Sequence, residues 1–305
     1  MIPFILRRSL LAFLVVLTVM CLAFVLTRLS GDLAISIAGP GSTQADVEVI
    51  RKAYGLDRPV LVQFFDWTRL ALTGDFGSSF FFKDKVSTLI AQRMPITLTL
   101  GLTGLVLALL VSLPLGILAA LNENTWIDRL AMLLAMFGQA MPSFWLGLIL
   151  MIVLGLQLGW LPISGTGSWE HYVMPGIVLA FTAIPALTRL MRSGMIEALA
   201  SDYIRTARAK GLTRRSIIFK HALRNAAIPV VSIAAVQLGF MLGGSIVIET
   251  VFALHGVGYL AWESISKNDF PVVQAVVLVL ASLYIALTLI ADILNALLDP
   301  RLRGA

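Results

Sequence analysis

The side chains that most often carry catalysis are few in this chain and lie far apart. The 305 residues include three histidines, His171, His221 and His255, and one cysteine, Cys21. The sequence has no Gly-x-x-x-x-Gly-Lys-Ser/Thr phosphate-binding loop, no His-Glu-x-x-His zinc motif and no evident Ser/His/Asp arrangement. A single cysteine also excludes a disulfide framework and a cysteine-based zinc site. We therefore predict a non-catalytic chain that holds no metal or cofactor of its own.

Uncharged polar side chains within long apolar stretches are the candidates to line a polar pathway through the interior of the molecule. They are Gln139, Ser143, Gln237, Ser245 and Gln274. Polar groups in membrane helices tend to face the bundle interior or a wet cavity, although hydrogen bonding between helices is the simpler explanation for any one of them. The near-absence of full charges argues against a proton-coupled carrier and against an ion channel with a charged ring.

The composition indicates a membrane protein. Hydrophobic residues make up 58% of the chain and charged residues 13%, and the mean hydropathy is +0.91, whereas a soluble domain has roughly 45–50% apolar and about 25% charged residues. We predict an all-α polytopic membrane protein. Because a helix needs about 20 apolar residues to cross a bilayer, the stretches free of Asp, Glu, Lys and Arg predict six transmembrane helices. They lie at 9–27, 94–122, about 130–155, 171–188, 225–248 and 270–291. Glu249 and Asp292 lie at span ends, where they need no functional explanation.

The basic residues orient these spans. Six spans place both termini on one side, and that side carries 14 Lys and Arg against six acidic residues. The other side carries nine basic residues, eight of them in or beside the long segment 28–95, which reports poorly on orientation. We therefore expect both termini in the cytoplasm. The first apolar run is too long for a signal peptide and has no convincing cleavage site, so we expect it to be retained as a span.

The segment 29–95, on the far side of the membrane, has a helical pattern of its own. We predict a short helix over 45–54 ended by Gly55, an amphipathic helix over 60–72, and a turn over 74–79. Two interpretations remain open for this extracytoplasmic segment. It is either a structural plug for the mouth of the bundle or a docking surface for an exported partner.

The cytoplasmic segment 189–226 concentrates positive charge. It carries nine Lys and Arg against Glu197 and Asp202. Its pattern predicts a helix over 196–209, a stop at Gly211, and a second helix capped by Thr213. Attraction to anionic lipid would explain the charge. It would not explain the amphipathic pattern or the central glycine, which favour a protein-docking loop.

The same segment resembles a known family. Residues 202–212 read Asp-Tyr-Ile-Arg-Thr-Ala-Arg-Ala-Lys-Gly-Leu, followed by His-Ala-Leu-Arg-Asn at 221–225. This run resembles the cytoplasmic loop of permease subunits of binding-protein-dependent ABC importers, in the oligopeptide, dipeptide, nickel and glutathione branch. Gly211 and Leu223 match the glycine and leucine of the superfamily pattern. The departures from that pattern are Arg205, Thr206, His221 and Arg224, and they are typical of this branch.

Similarity to the first of the two permease types of that branch extends along most of the chain. It includes the runs at 54–59, 74–78, 95–98, 242–245, 256–258 and 299–301. The resemblance implies an organisation into residues 1–28 (N-terminus and first span), 29–95 (extracytoplasmic segment) and 96–305 (permease core with the coupling loop 189–226). It implies a bacterial or archaeal cytoplasmic membrane as the location.

The resemblance also implies a division of labour. Two ATPase subunits, which carry ATP and Mg, would power the complex, a second paralogous permease would complete the pore, and an extracytoplasmic binding protein would deliver the substrate. Membrane lipid is a further partner, and nucleic acid is not expected. The helix ending at Gly211 would be the coupling helix that inserts into the ATPase. Its residues would be Tyr203, Arg205, Thr206, Ala207, Arg208, Ala209, Lys210, Gly211 and Leu212.

Alternatives stay open at this point. A secondary transporter working alone would have inverted repeats and broken intramembrane helices in matching positions of both halves, and the sequence has no convincing repeat. A structural or insertion-factor membrane protein is a third class. The substrate is also open among dipeptides, oligopeptides, glutathione, nickel chelates and oligosaccharides.

Overall fold

The computed structural model describes residues 2–29, 31–39 and 41–298, and it is helical throughout most of this range. The α-helices are α1 Ile2–Leu29, α2 Leu33–Ala38, α3 Gln44–Ala53, α4 Val60–Leu72, α5 Val86–Leu121, α6 Trp126–Phe137, α7 Ser143–Leu150, α8 Val173–Ala200, α9 Asp202–Ala209, α10 Arg214–Ser216, α11 Leu223–Val251, α12 Val257–Ser266 and α13 Phe270–Leu298. A π-helical stretch, Ile217–Ala222, joins α10 to α11, and another, Met151–Gln157, extends α7. The 299–301 motif and Arg303 lie outside the described residues.

Long apolar helices confirm the predicted fold class. Within the described ranges, five of them are long and apolar enough to cross a membrane. They are Phe4–Leu29, Val86–Leu121, Trp169–Ala200, Arg214–Val251 and Phe270–Leu297. A sixth crossing is reached by counting one bent pair of shorter helical segments, Trp126–Ala140 and Ser143–Gln157, as a single span.

The bent pair corrects the prediction of one continuous span over 130–155. Its two halves meet at an angle of 98°. Met141 is extended, with φ −100° and ψ 136°, because the ring of the following Pro142 disfavours the helical conformation in the residue before it. Pro142 also lacks the N–H that a continuing helix would need. Hydropathy alone could not reveal this break, because both halves are apolar.

Successive spans alternate in direction and so define two faces of the molecule. We call the face with residues 122–125 and 201–213 the loop face, and the face with residues 31–85, 158–172 and 252–269 the cap face. On the loop face, an Arg8–Asp292 ion pair of 3.0 Å joins the ends of α1 and α13.

Two hydrophobic clusters hold the helices together. The larger one is built mainly from α5, α8 and α11 and extends to α9. There Gly116 of α5 lies so close to α8 that a Cβ would come within 2.7 Å of Met191 Cβ, so α5 and α8 are in backbone-level contact. The smaller cluster lies at the cap face and joins the first turns of α5 to α12 and α13 through Val86, Leu260 and Val276.

In residues 31–85, here called the cap-face segment, α3 and α4 confirm the two predicted helices. α3 begins with a capping box between Thr43 and Asp46. Gly55, with φ 63°, ends it. α4 has the predicted bounds, 60–72. Phe64 and Trp67 of α4 contact Phe24 of α1, so α4 lies against the cap-face end of the first span. α5 begins at Val86, within the segment predicted as 29–95.

Candidate functional site

The short helix α9 is separated from α8 by a sharp turn. The predicted continuous helix over 196–209 is wrong at one residue, because Ser201 is extended, with ψ 153°. The Ser201 hydroxyl donates a 2.5 Å hydrogen bond to the carbonyl of Ala198. Such side-chain bonding to nearby backbone competes with the helical hydrogen bonds. The turn ends the span and starts α9 as an independent helix.

Gly211 ends α9 as predicted. The amide of Leu212 donates to the carbonyl of Ala207 (3.3 Å), and the amide of Gly211 donates to that of Arg208 (3.0 Å). This is the Schellman arrangement, which requires a left-handed residue after the helix. Gly211 has φ 75°, and the space where a Cβ would stand is open. The glycine is therefore needed for its backbone conformation and not for close packing.

Thr213 begins the next helix, also as predicted. Its Oγ1 accepts a 3.3 Å hydrogen bond from the amide of Ser216. From there α10, the π-helical stretch and α11 run on as one span to Val251. α9 is therefore held between the ends of two membrane spans.

The two sides of α9 differ in burial. Ile204 and Ala207 are buried in the large hydrophobic cluster, whereas Arg205, Arg208 and Lys210 are exposed. Tyr203 is exposed, and its hydroxyl accepts a 2.8 Å hydrogen bond from Asn225. The remaining predicted coupling residues, Thr206, Ala209, Gly211 and Leu212, are also exposed.

The positive charges of this loop have almost no internal partners. Arg205 approaches Asp202 at 3.9 Å, with both side chains almost fully in solvent, and such a surface pair contributes little. Arg208, Lys210, Arg214 and Arg215 form no ion pair within the described residues. Exposed apolar side chains, Leu212 and Phe219, lie among these charges. The surface can thus offer both charge and apolar area to a partner.

A buried ion pair fixes the base of this surface. Arg192 of α8 donates two 2.7 Å hydrogen bonds to the two carboxylate oxygens of Asp128 at the start of α6. Asp128 is 5% exposed and also accepts from the amide of Asn124 at 3.0 Å. Two parallel charge-assisted bonds give both strength and fixed geometry. The pair therefore joins α6 to α8 close to the loop face.

The five predicted pathway residues lie on the two halves of the bent pair, on α11 and on α13. Gln139 is exposed beside the α6–α7 bend, and Ser143 is half-buried just after it. Gln237 is half-buried on α11. Ser245 and Gln274 are buried inside the bundle. Their part in a pathway stays a prediction.

Sequence reasoning missed a buried polar cluster at the cap face. Glu249, which was assigned no role, is 0% exposed at the end of α11. Its Oε1 accepts from the hydroxyls of Thr97 (2.7 Å) and Ser245 (2.9 Å), and its Oε2 accepts from the amide of Tyr259 (2.8 Å). Thr97 Oγ1 in turn accepts from the amide of Val257 (2.8 Å). The one sequence signal was a carboxylate at the end of an apolar run, followed by glycines 256 and 258.

A second buried carboxylate closes the other end of α12. Asp269 is 0% exposed. It accepts hydrogen bonds from the hydroxyl of Ser79 and from the amides of Phe80 and Phe81, the latter two at 3.2 Å. Between the two carboxylates, Arg93 of α5 approaches Glu263 of α12 at 3.7 Å. The described residues contain no group of three or more His, Cys, Asp or Glu that could hold a metal ion.

The bundle of long apolar helices is that of a multi-pass membrane protein, and comparison with known proteins gives its family. The family model described as "Binding-protein-dependent transport system inner membrane component" matches residues 112–304. The model for the N-terminal part of such membrane components matches residues 1–101. The chain belongs to this family of ABC importer permeases and is a multi-pass inner membrane protein. Such subunits are normally non-catalytic and work with ATPase and binding-protein partners, and the predicted resemblance is confirmed.

Full-length relatives and a solved structure agree with this assignment. The chain is 41% identical over 304 residues to the glutathione transport system permease protein GsiC of Salmonella typhimurium, covering 99% of each chain. It is 39% identical over 305 residues to the protein of that name from Escherichia coli K12, again with 99% of each chain covered. A crystal structure of an amino acid ABC transporter with histidines matches with a TM-score of 0.51 and 18% identity, covering 70% of this chain and 94% of the other. At that identity the match supports the fold alone.

Proposed function

We propose that this permease forms an import pathway for glutathione or short peptides together with a second, paralogous permease. In this proposal the loop face is cytoplasmic and binds two ATPase subunits. The cap face receives substrate from an extracytoplasmic binding protein. The ATPases hold ATP and Mg, and this chain transmits their movement to its spans.

The observation that carries the proposal is the unsatisfied basic surface of α9. Ile204 and Ala207 fix the helix to the bundle, while Arg208, Lys210 and the left-handed turn at Gly211 project from it. A helix held at both ends by spans transmits a push from a partner to those spans, here α8 and α11. The basic side chains suit acidic groups or helix C-termini on that partner.

Charge supports the proposed orientation. The loop face carries most of the short-loop Lys and Arg, which favours a cytoplasmic location. The cap face carries the buried carboxylates Glu249 and Asp269 and the helices of the 31–85 segment. These cap-face helices lie on the side where the binding protein would deliver its substrate.

Two observations support a peptide-like substrate. The relatives named as glutathione transport permeases match this chain along its whole length. The predicted pathway side chains are amides and hydroxyls, which suit a substrate held by backbone-like hydrogen bonds and not by full charge. Nickel chelates and oligosaccharides remain competitors for the uptake test.

The docking part of the proposal is tested by charge reversal on the assembled chain. The double variant Arg208→Glu, Lys210→Glu should weaken ATPase binding to the permease in nanodiscs at least about tenfold, because like charges would then face the acidic groups of the partner. Arg69→Glu, an exposed charge on α4 of the cap face, is the matched control and should bind normally. Normal binding by the double variant would overturn the docking assignment.

The transport part is tested by reconstitution. Proteoliposomes with both permeases, the ATPases and the binding protein should take up labelled glutathione or dipeptide only with internal ATP. Nickel chelate and oligosaccharide serve as competitors. Uptake by the permease alone on an ion gradient would contradict the proposal and favour a stand-alone carrier.

A further inference from the structure

The short helix α12 lies on the cap face and is tied at its start to two spans. Two amides of its first turn, those of Val257 and Tyr259, are bonded by Thr97 of α5 and Glu249 of α11 respectively. The first amides of a helix have no partner within the helix, and such side chains satisfy them. A carboxylate at a helix N-terminus is also favoured by the helix dipole.

The backbone around this contact is built for close approach. A Cβ at Gly256 would lie 2.5 Å from Thr97 Oγ1 and 2.6 Å from Glu249 Oε2. At Gly258 it would lie 2.9 Å from Ile246 Cα of α11. All three distances are shorter than real Cβ contacts allow. α12 therefore reaches Glu249 and Thr97 only because glycine occupies both positions.

The rest of α12 is tied to the same neighbours. The Arg93–Glu263 pair joins its middle to α5, and Asp269 binds the 79–81 turn that leads into α5. Leu260 and Ala261 belong to the cap-face cluster with Val86 and Ile90 of α5. The Arg93 and Asp269 contacts connect α12 and the residues after it to the first turns of α5 or the residues just before them. The cluster also joins α12 to α13 through Val276.

The helix α5 passes from the cap-face cluster to the large hydrophobic cluster near Pro95. Ile90 and Met94 pack in the cap-face cluster, whereas Ile96 and Leu100 pack in the large one. Pro95 stands between them, where a proline removes one backbone hydrogen bond and permits a kink. The Thr97–Glu249 bond joins α5 to α11 just beyond this point.

We propose that Glu249 is a positioning residue of the transport cycle, which with Thr97 seats α12 on the cap-face ends of α5 and α11. α12, the 79–81 turn and the first turns of α5 then move as one body when the cap face opens. α12 does not lift separately, because stripping a buried carboxylate of its donors is costly. Contact of a binding protein with the cap-face segment is thereby passed to α5 and α11.

The variant Glu249→Gln tests this role with little change in shape. An amide accepts hydrogen bonds only at its oxygen. Its NH2 group would therefore face either the amide of Tyr259 or the hydroxyls of Thr97 and Ser245. Thr97→Ser keeps the hydroxyl and is the conservative control, while Thr97→Val removes it at similar size.

The experiment has two readouts, and the second rests on the proposed function. In the permease pair alone, amide exchange over 256–262 should speed up in Glu249→Gln and Thr97→Val, remain normal in Thr97→Ser, and be unchanged over 202–212 in all three. In the complete transporter, the ratio of binding-protein-stimulated to basal ATP hydrolysis should fall at least about fivefold in the first two variants and stay normal in Thr97→Ser.

The outcomes separate the two proposals. A wild-type complex with no stimulated ATP hydrolysis would contradict the proposed function, while the exchange readout would still decide the role of Glu249. Unchanged exchange in both disruptive variants, or a wild-type stimulation ratio in them, overturns the positioning role. If Glu249→Gln does not assemble, Thr97→Val against Thr97→Ser decides by the same criteria.

Discussion

The short helices α9 and α12 lie on opposite faces of the molecule, and the charged side chains around them differ in burial. Each connects two membrane spans, and each has a residue in the left-handed conformation next to it. For α9 this residue is Gly211, which ends the helix, and for α12 it is Ala253 (φ 51°), in the turn before the helix. Around α12, Glu249 and Asp269 are fully buried and hydrogen-bonded. Around α9, the basic side chains are exposed and almost unpaired.

This difference indicates that the charges around α12 stabilise the chain itself, whereas those around α9 are available to a partner. Buried charges are tolerated only where hydrogen bonds or partners compensate them, and the cap face supplies that compensation within one chain. Exposed charges need no compensation and contribute little to folding. The loop 202–215 instead leaves five basic side chains exposed and almost unpaired within the described residues, and acidic groups of a partner could complement such a surface.

The largest effect should come from removing a carboxylate at the cap face. Asp269→Ala leaves the Ser79 hydroxyl and the amides of Phe80 and Phe81 without their acceptor, and it should lower the free energy of unfolding by about 2–4 kcal/mol. Asp202→Ala on α9 is the matched change on the loop face and should stay within about 0.5 kcal/mol. Denaturant unfolding in detergent measures both. Equal effects would remove the proposed contrast between the faces.

A second test concerns the Asp128–Arg192 ion pair, which joins α6 to α8 near the loop face. Asp128→Asn keeps one acceptor oxygen, removes the carboxylate charge and places an NH2 group against an Arg192 donor, and it should cost about 1–3 kcal/mol in unfolding free energy. Arg205→Ala, which loses a 3.9 Å contact in solvent, should cost almost nothing. If the Arg205 variant proved the more harmful in the isolated permease, α9 would have an internal structural role.

A third test addresses the left-handed turn. Gly211→Ala places a Cβ in the left-handed conformation at a cost of about 1–2 kcal/mol, with no clash. The cost should appear as faster amide exchange over 202–212 and weaker ATPase binding, with the spans intact. Gly243→Ala in α11, where a Cβ also meets open space, is the control and should leave both unchanged. Normal exchange at 202–212 in the Gly211 variant would contradict the role of the turn.

The smallest effect concerns pH at the edge of the cap face. A hydrogen bond from Arg51 lowers the pKa of Asp32 below its usual range. The folded pKa then lies below the unfolded one, so the stabilisation is present above the unfolded value, about 3.9, and is lost as pH falls through the folded pKa. A spin label at Val49, which is exposed on α3, should become mobile in acid.

Arg51→Ala provides the control for this pH test. It removes the Asp32 contact but keeps the Thr43–Asp46 capping box at the start of α3. The acid transition should therefore shift to higher pH or disappear. The same transition in both proteins would exclude Asp32 as its cause.

Features specified by local chemistry were predictable from the sequence. The bounds of α4 follow from its amphipathic pattern and the neighbouring Pro59 and Gly74. The stop at Gly211 and the cap at Thr213 follow from backbone rules that act over a few residues. The family of the chain was predictable because its loop motif is such a local feature.

Features set by distant contacts were not predictable in this way. The sequence shows Glu249 only as a carboxylate at the end of an apolar run. Its hydrogen-bond partners include Thr97, about 150 positions earlier, and Tyr259, and this pattern does not predict them. The bend before Pro142 and the turn at Ser201 have local causes, but a hydropathy pattern does not reveal them, because the residues on both sides of each break fit the pattern of a helix. Each required knowledge of the backbone path.

Amide exchange on the complete permease pair, with and without its ATPase subunits, tests the central contrast most directly. We predict that exchange over 202–216, measured in the permease pair alone, becomes much slower when the ATPases are added. The 257–266 region should be protected in both states, because its partners lie within this chain. No protection of 202–216 on ATPase binding, or protection that appears first at 257–266, would contradict the account.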